Sequence, residues 1–119
     1  MFNHERLTVY QRACEFQLAA DSLASKLPRG RAYLVDQLRR ASSSITSNIA
    51  EGAGEFSKAD KARFYRLALR SAAESASLIE QCERLALIGG EVAGPARELV
   101  GEVTAMLTRM VKNLVEGEG

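Results

Sequence analysis

Apolar residues recur along this chain at steps of three and four, the spacing of one face of an α-helix, and they do so in four separate blocks. In the first, Val9, Ala13, Phe16, Ala20, Leu23 and Leu27 form a stripe that ends at Pro28, whose missing amide forbids continuation. Thr8 followed by Gln11 reads as a capping box that opens this helix. In the second block, roughly Tyr33 to Glu51, the buried face is Leu34, Leu38, Ala41, Ile45 and Ile49. A polar ridge of Gln37, Arg40, Ser44, Asn48 and Glu51 lies directly beside it, and such a ridge calls for partners. Gly52 and Gly54 read as the stop, glycine tolerating the left-handed backbone of a C-terminal cap. Ser57 then reads as the N-cap of the next helix, with Asp60 near its positive dipole end.

The third block, about Lys58 to Leu87 with Gly89 and Gly90 as its cap, carries two apolar rows. Phe64, Leu67, Ser71, Glu74 or Ser75, Leu78, Cys82 and Leu85 read as the inner face. Ala62, Tyr65, Leu69, Ala72, Ala76 and Ile79 run beside it. The fourth, from Pro95 at a first-turn position to Val115, is similarly wide, with Leu99, Val100, Val103, Met106, Leu107, Met110, Val111 and Leu114. Alternating β-branched runs and hairpin dipeptides are missing. Four amphipathic helices with short connections predict an all-α fold, an up-down-up-down antiparallel four-helix bundle. Residues 1–119 read as one domain, with a short arm over 1–7 and a fraying tail over 116–119.

A bundle helix needs one inward stripe of about 100°. The second rows on helices three and four exceed that, which predicts a homo-oligomer with Tyr65, Leu69, Val100, Leu107 and Val111 at the interface. The competing account is a tightly packed monomer built from alanine-rich helices.

Composition narrows the chemistry. Net charge is +1, with segment balances of +2 over 1–54, +1 over 55–88 and −2 over 89–119, so nothing global demands a nucleic acid. Cys14 and Cys82 form no CxxC pattern and read as small buried hydrophobes in a reducing cytoplasm. The charged N-terminus is not a signal peptide and no segment is apolar enough to span a bilayer, so the expected location is cytoplasmic. The single histidine, His4, lies in the arm, which leaves the helices without the Glu-x-x-His pairs of a di-iron bundle or a base for a serine or cysteine nucleophile. No phosphate-binding glycine loop occurs. Ser42 to Ser44, Thr46 and Ser47 read as packing residues and surface hydroxyls. The expectation is a protein with no cofactor, no metal and no enzymatic activity.

Arg63, Arg66 and Arg70 make a basic row on helix three, preceded by Lys58 and Lys61, with Arg39 and Arg40 on the adjacent helix. As a functional patch this row would contact phosphates of RNA or DNA. As a structural feature it is a solvated face, with Arg70 paired to Glu74 one turn on. Glu74 shares a ridge with Leu67, Ser71 and Leu78, which predicts partial burial and a charge-assisted contact with Arg40, or else Arg39, in a polar layer with Ser44.

The run RRASSSITSNIAEGAGEFSKADKARFYRLALRSAAES resembles the signature of the 23S ribosomal RNA intervening-sequence proteins. That pattern is matched by Arg40, Ala41, Ser44, Asn48, Ile49, Ala50, Glu51 and Gly52, then by Phe64, Ser71 and Glu74. The opening LTVYQRACEF is similar to the family's first helix. Arg70 departs from the pattern, standing where many relatives have glycine. The resemblance implies a polar layer of Arg40, Ser44, Asn48, Glu51, Ser71 and Glu74, and a ring-like homopentamer similar to the accessory protein of diversity-generating retroelements, which binds nucleic acid and a reverse transcriptase. It implies no established enzymatic activity. Two functions follow as expectations: an oligomer that binds nucleic acid or a nucleic-acid enzyme through a basic surface, or a scaffold for a protein partner.

Overall fold

The computed structural model describes residues 3–117. After a 3-10 turn over Asn3–Arg6 come α1 (Thr8–Ser25), α2 (Ala32–Ala53), α3 (Lys58–Arg84) and α4 (Gly90–Glu116). Each helix packs against its neighbours in the chain, and α1 closes the ring against α4. Side-chain pairs across the helices fix their directions. Gln17 meets Thr46 while Asp21 meets Arg39, Ser71 meets Ser44 while Tyr65 lies against Gly52, and Glu83 meets Arg97 while Ala76 and Thr104 border one groove, so rising positions on one helix match falling positions on the next. The topology is therefore up-down-up-down, as the pattern predicts. Of the expected frayed tail, Glu116 is the last helical residue, while Glu118 and Gly119 lie outside the described residues, as do the first two residues of the arm.

The core is lean. Phe16, Leu23, Leu34, Leu38, Ile45, Ile49, Ile79 and Leu107 supply its bulk, and Ala13, Ala20, Ala68, Ala72, Ala93 and Ala96 let the helices approach closely. Cys82 is buried among them, which pushes its thiol pKa up. Cys14 departs from expectation: it is only half-buried, one turn from Tyr10, whose phenol is raised by burial and then by the neighbouring thiol. Thr46 is buried but bonded, donating to Gln17 Oε1 at 3.1 Å or Ser43 O at 2.9 Å, and Ser42 reaches Arg39 O at 3.2 Å.

Several boundaries differ from the sequence reading. Leu7, not Thr8, is the N-cap of α1, and Gln11 reaches back to Glu5 O at 3.3 Å, so no capping box forms. Gly52 is the penultimate residue of α2, and Gly54 caps it with φ −84°, not left-handed. Lys61 Nζ, 3.2 Å from Ala53 O, satisfies a carbonyl at that end instead. Ser57 does cap α3, accepting from Asp60 N at 3.0 Å. That helix ends before the glycines, at Arg84. Leu87 N donates to Cys82 O and Ala86 N to Glu83 O, both at 2.9 Å, the paired bonds of a Schellman cap. Gly89 is the N-cap of α4, which starts five residues before Pro95 because Val92 and Ala93 close a first turn on Gly89 O and set Ala93 in the core.

Two predictions follow from these details. Ala86 holds the left-handed position of the Schellman cap at φ 58° and is exposed. A Cβ there costs about 1–2 kcal/mol, and glycine's extra freedom when unfolded returns about 0.4–1 kcal/mol of that, so Ala86→Gly should stabilise by roughly 0.5–1 kcal/mol in urea titrations. Ser75 is fully buried and its hydroxyl has no hydrogen-bond partner among the described residues. Ser75→Ala removes that unsatisfied group and should raise stability by about 1 kcal/mol, read as a higher denaturation midpoint.

Candidate interaction face on helices α2 and α3

The polar ridge of α2 lies along its junction with α3. Ser71 Oγ donates to Ser44 Oγ at 2.8 Å, and Asn48 Nδ2 reaches Ser44 O at 2.9 Å and Ser44 Oγ at 3.0 Å. One hydroxyl thus ties a turn of α2 to the middle of α3. Above this knot Gln37, Arg40, Ala41, Ser44, Ser71 and Glu74 line an open groove of about 380 Å³. Glu51 is exposed at the foot of the ridge.

The expected Glu74–Arg40 contact is not made. Arg40 Nη2 pairs with Asp36 one turn back at 2.9 Å, and Arg39 Nε reaches across to Asp21 on α1 at 2.8 Å. Glu74 is exposed and unpaired among the described residues. The reason is the roll of α3. Its buried residues are Ala62, Tyr65, Ala68, Ala72, Ser75, Leu78, Ile79 and Cys82, so the row read as secondary is the inner one over the first half of the helix. Phe64, Leu67 and Ser71 turn to the flank facing α2, and Glu74 turns further out.

Burial within one chain corrects the predicted oligomer interface as well. Tyr65 is 4%, Val100 3% and Leu107 0% exposed within the single chain. Burial also raises the Tyr65 phenol pKa. Leu69 and Val111 are half-buried against the same core. Gly52 leaves room for the Tyr65 ring and buried alanines let the helices approach closely, so a wide apolar stripe closes inside one bundle. Large apolar side chains that do stay out are Leu18, Tyr33, Phe56, Leu85 and Val115.

The basic row keeps its place on the outside. Arg63 lies over the Phe64 ring at 4.3 Å and sits 3.9 Å from Asp60. Arg66 and Arg70 are exposed and have no partner among the described residues, so the Arg70–Glu74 pair is not formed. Lys61 is committed to the end of α2, and Arg39 to Asp21. Lys58 is exposed and engaged. Of the seven cations singled out from sequence, with Arg40 paired to Asp36, Arg66 and Arg70 are thus the ones left to an external anion. Among the described residues no three of His, Cys, Asp and Glu converge in a way that could hold a metal ion. No described helix is long and apolar enough to cross a membrane.

The family pattern of the 23S rRNA-intervening sequence proteins matches residues 5–109. The chain belongs to this family. Its bundle is similar to the crystal structure of a protein of unknown function from the S23 ribosomal protein family of Bacteroides thetaiotaomicron, with a TM-score of 0.82 at 24% identity over 88% of this chain and 99% of that one. No curated protein matches it. In this family member the signature residues divide by role: Ile49 is core, Gly52 makes a close helix contact, and Ser44, Asn48 and Ser71 form the knot at the groove.

Proposed function

We propose that this chain is a non-enzymatic, homo-oligomeric four-helix bundle that binds nucleic acid through the outward arginines of α3. What supports the reading is a pair of free arginines on one helix face, since Arg29, Arg84 and Arg109 are also exposed and unpaired among the described residues but none has a second free arginine one turn away on its own helix. Arg12, Arg39, Arg40 and Arg97 are spent on carboxylates at 3.0 Å or less, while Arg66 and Arg70 stand one turn apart, exposed and unpartnered among the described residues. Guanidinium groups in that state suit phosphate oxygens, and no base-reading motif accompanies them, so binding is sequence-tolerant and salt-sensitive. Oligomerisation multiplies the row by the number of subunits, which the family resemblance puts at five. The protein belongs in the cytoplasm on this reading.

The test is fluorescence anisotropy with labelled single-stranded RNA and duplex DNA across a salt series. Arg66→Ala combined with Arg70→Ala should weaken binding and reduce the slope of log K against log salt by about 0.7–0.9 per lost contact. An unaltered slope, or no binding by the parent protein at low salt, overturns the reading.

A protein-docking scaffold is the second reading. It is favoured by Phe64 and Leu67, half-exposed apolar residues of the α2–α3 flank that lie outside the core cluster. A partner retained after nuclease treatment, and lost in Leu67→Asp, would favour it over nucleic acid.

A further inference from the structure

The connection between α2 and α3 carries a bare aromatic ring. Phe56 stands between the cap of α2 at Gly54 and the cap of α3 at Ser57, and it is 101% exposed. Leaving a phenyl ring in water forgoes the free energy that its burial would supply. Glu55 precedes it and Glu51 is one turn back on α2, and neither is in an ion pair among the described residues.

At the same end of the bundle, on the opposite edge, the start of α1 and the last turns of α4 enclose a groove of about 430 Å³. Leu7, Val9, Met106 and Met110 give it an apolar lining, and Arg109 stands at its edge, exposed and unpaired among the described residues. A cavity of about 150 Å³ suffices for benzene, so the groove has room for a phenyl ring and part of its chain. Methionine adapts its shape to an inserted aromatic and makes favourable sulfur contacts with it. The apolar ring thus matches the groove in polarity and size, and Glu55 beside the ring carries the charge opposite to Arg109 at the groove's edge.

They cannot meet within one chain. The α2–α3 edge and the α1–α4 edge lie across the bundle from each other. We propose that Phe56 of one subunit inserts into the α1–α4 groove of the next, with Glu55 facing Arg109. This rests on the homo-oligomeric reading above and names its interface. Each subunit gives its ring to one neighbour and its groove to another, so the contact is heterologous and builds a closed ring wherever the rotation between subunits closes.

The test is light scattering coupled to size exclusion over a dilution series, on the parent protein and on Phe56→Asp. Phe56 touches no core residue, so the variant should keep the helical circular dichroism of the parent. The parent should run at a multiple of the 13.0 kDa chain mass. Phe56→Asp should raise the dissociation concentration by roughly 10- to 100-fold, the loss of one buried phenyl ring per contact. Arg109→Glu should weaken assembly, and adding Glu55→Arg should restore it. An oligomeric parent whose mass and dilution behaviour are unchanged in Phe56→Asp overturns this interface and leaves the oligomer standing. A monomeric parent overturns both. A charge exchange that fails to restore assembly removes the Glu55–Arg109 pairing from the proposal.

Discussion

Leu107→Ala should lower folding stability by about 2–5 kcal/mol, and by the same amount at every protein concentration. Leu107 is fully enclosed by its own chain, among the largest side chains of the core. Val103 one turn before it is equally closed. The surrounding helices already meet through alanines at Ala13, Ala68 and Ala72, which have nothing further to move into a cavity. The loss should therefore sit toward the upper part of the range. Urea denaturation at widely separated protein concentrations checks it. A residue at a subunit interface would instead shift the dissociation midpoint and leave the isolated chain unaffected. A loss that appears only at high concentration would return Leu107 to an interface.

Gly52→Ala should destabilise by about 1–3 kcal/mol, although alanine is the better helix former by about 1 kcal/mol. Gly52 lies inside α2, where its missing side chain lets the helix press on α3. A Cβ built there would stand 2.6 Å and 2.8 Å from the ring carbons Cε1 and Cδ1 of Tyr65 and 3.2 Å from Phe64 Cβ. Tyr65 is itself buried, so its ring has no free space to enter, and Phe64 Cβ moves only with the α3 backbone. The helices must separate at this point, which weakens the packing of Tyr65 and draws on the knot at Ser44 and Ser71. Thermal and urea melts measure the loss. A stabilised Gly52→Ala protein would mean that the helix preference outweighs the contact.

The four helices were legible because each presents its buried residues at the helical period, and the period survives without knowledge of any neighbour. On α2 the reading was accurate residue by residue: Leu34, Leu38, Ala41, Ile45 and Ile49 are all buried. That helix has one apolar stripe beside a clearly polar ridge, so only one roll about its axis is possible. Ser57 was legible for a similar reason, since a cap depends on the residue and the amides within one turn of it.

On α3 the pattern allowed two rolls. Phe64 with Leu67 and Tyr65 with Leu69 are equally apolar in one dimension, and the choice between them rests on what each row meets. The bundle takes Tyr65 inward because Gly52 on α2 leaves space for its ring, a fit made by two residues of different helices. With that roll set, Glu74 turns out to solvent, Arg40 falls to Asp36, and Ser71 alone of the flanking row reaches the α2 ridge. The position of Phe56 was likewise invisible in the periodicity, since a turn residue belongs to no helical face and its exposure depends on where the two flanking helices stop. The sequence by itself determined which residues form helices and, on α2, which face is buried, because both depend on spacing within about two turns. The tertiary structure decided the roll of α3, the closure of Tyr65, Val100 and Leu107 inside one chain, and which arginines remain unpaired, because each depends on side chains that become neighbours only when the helices pack.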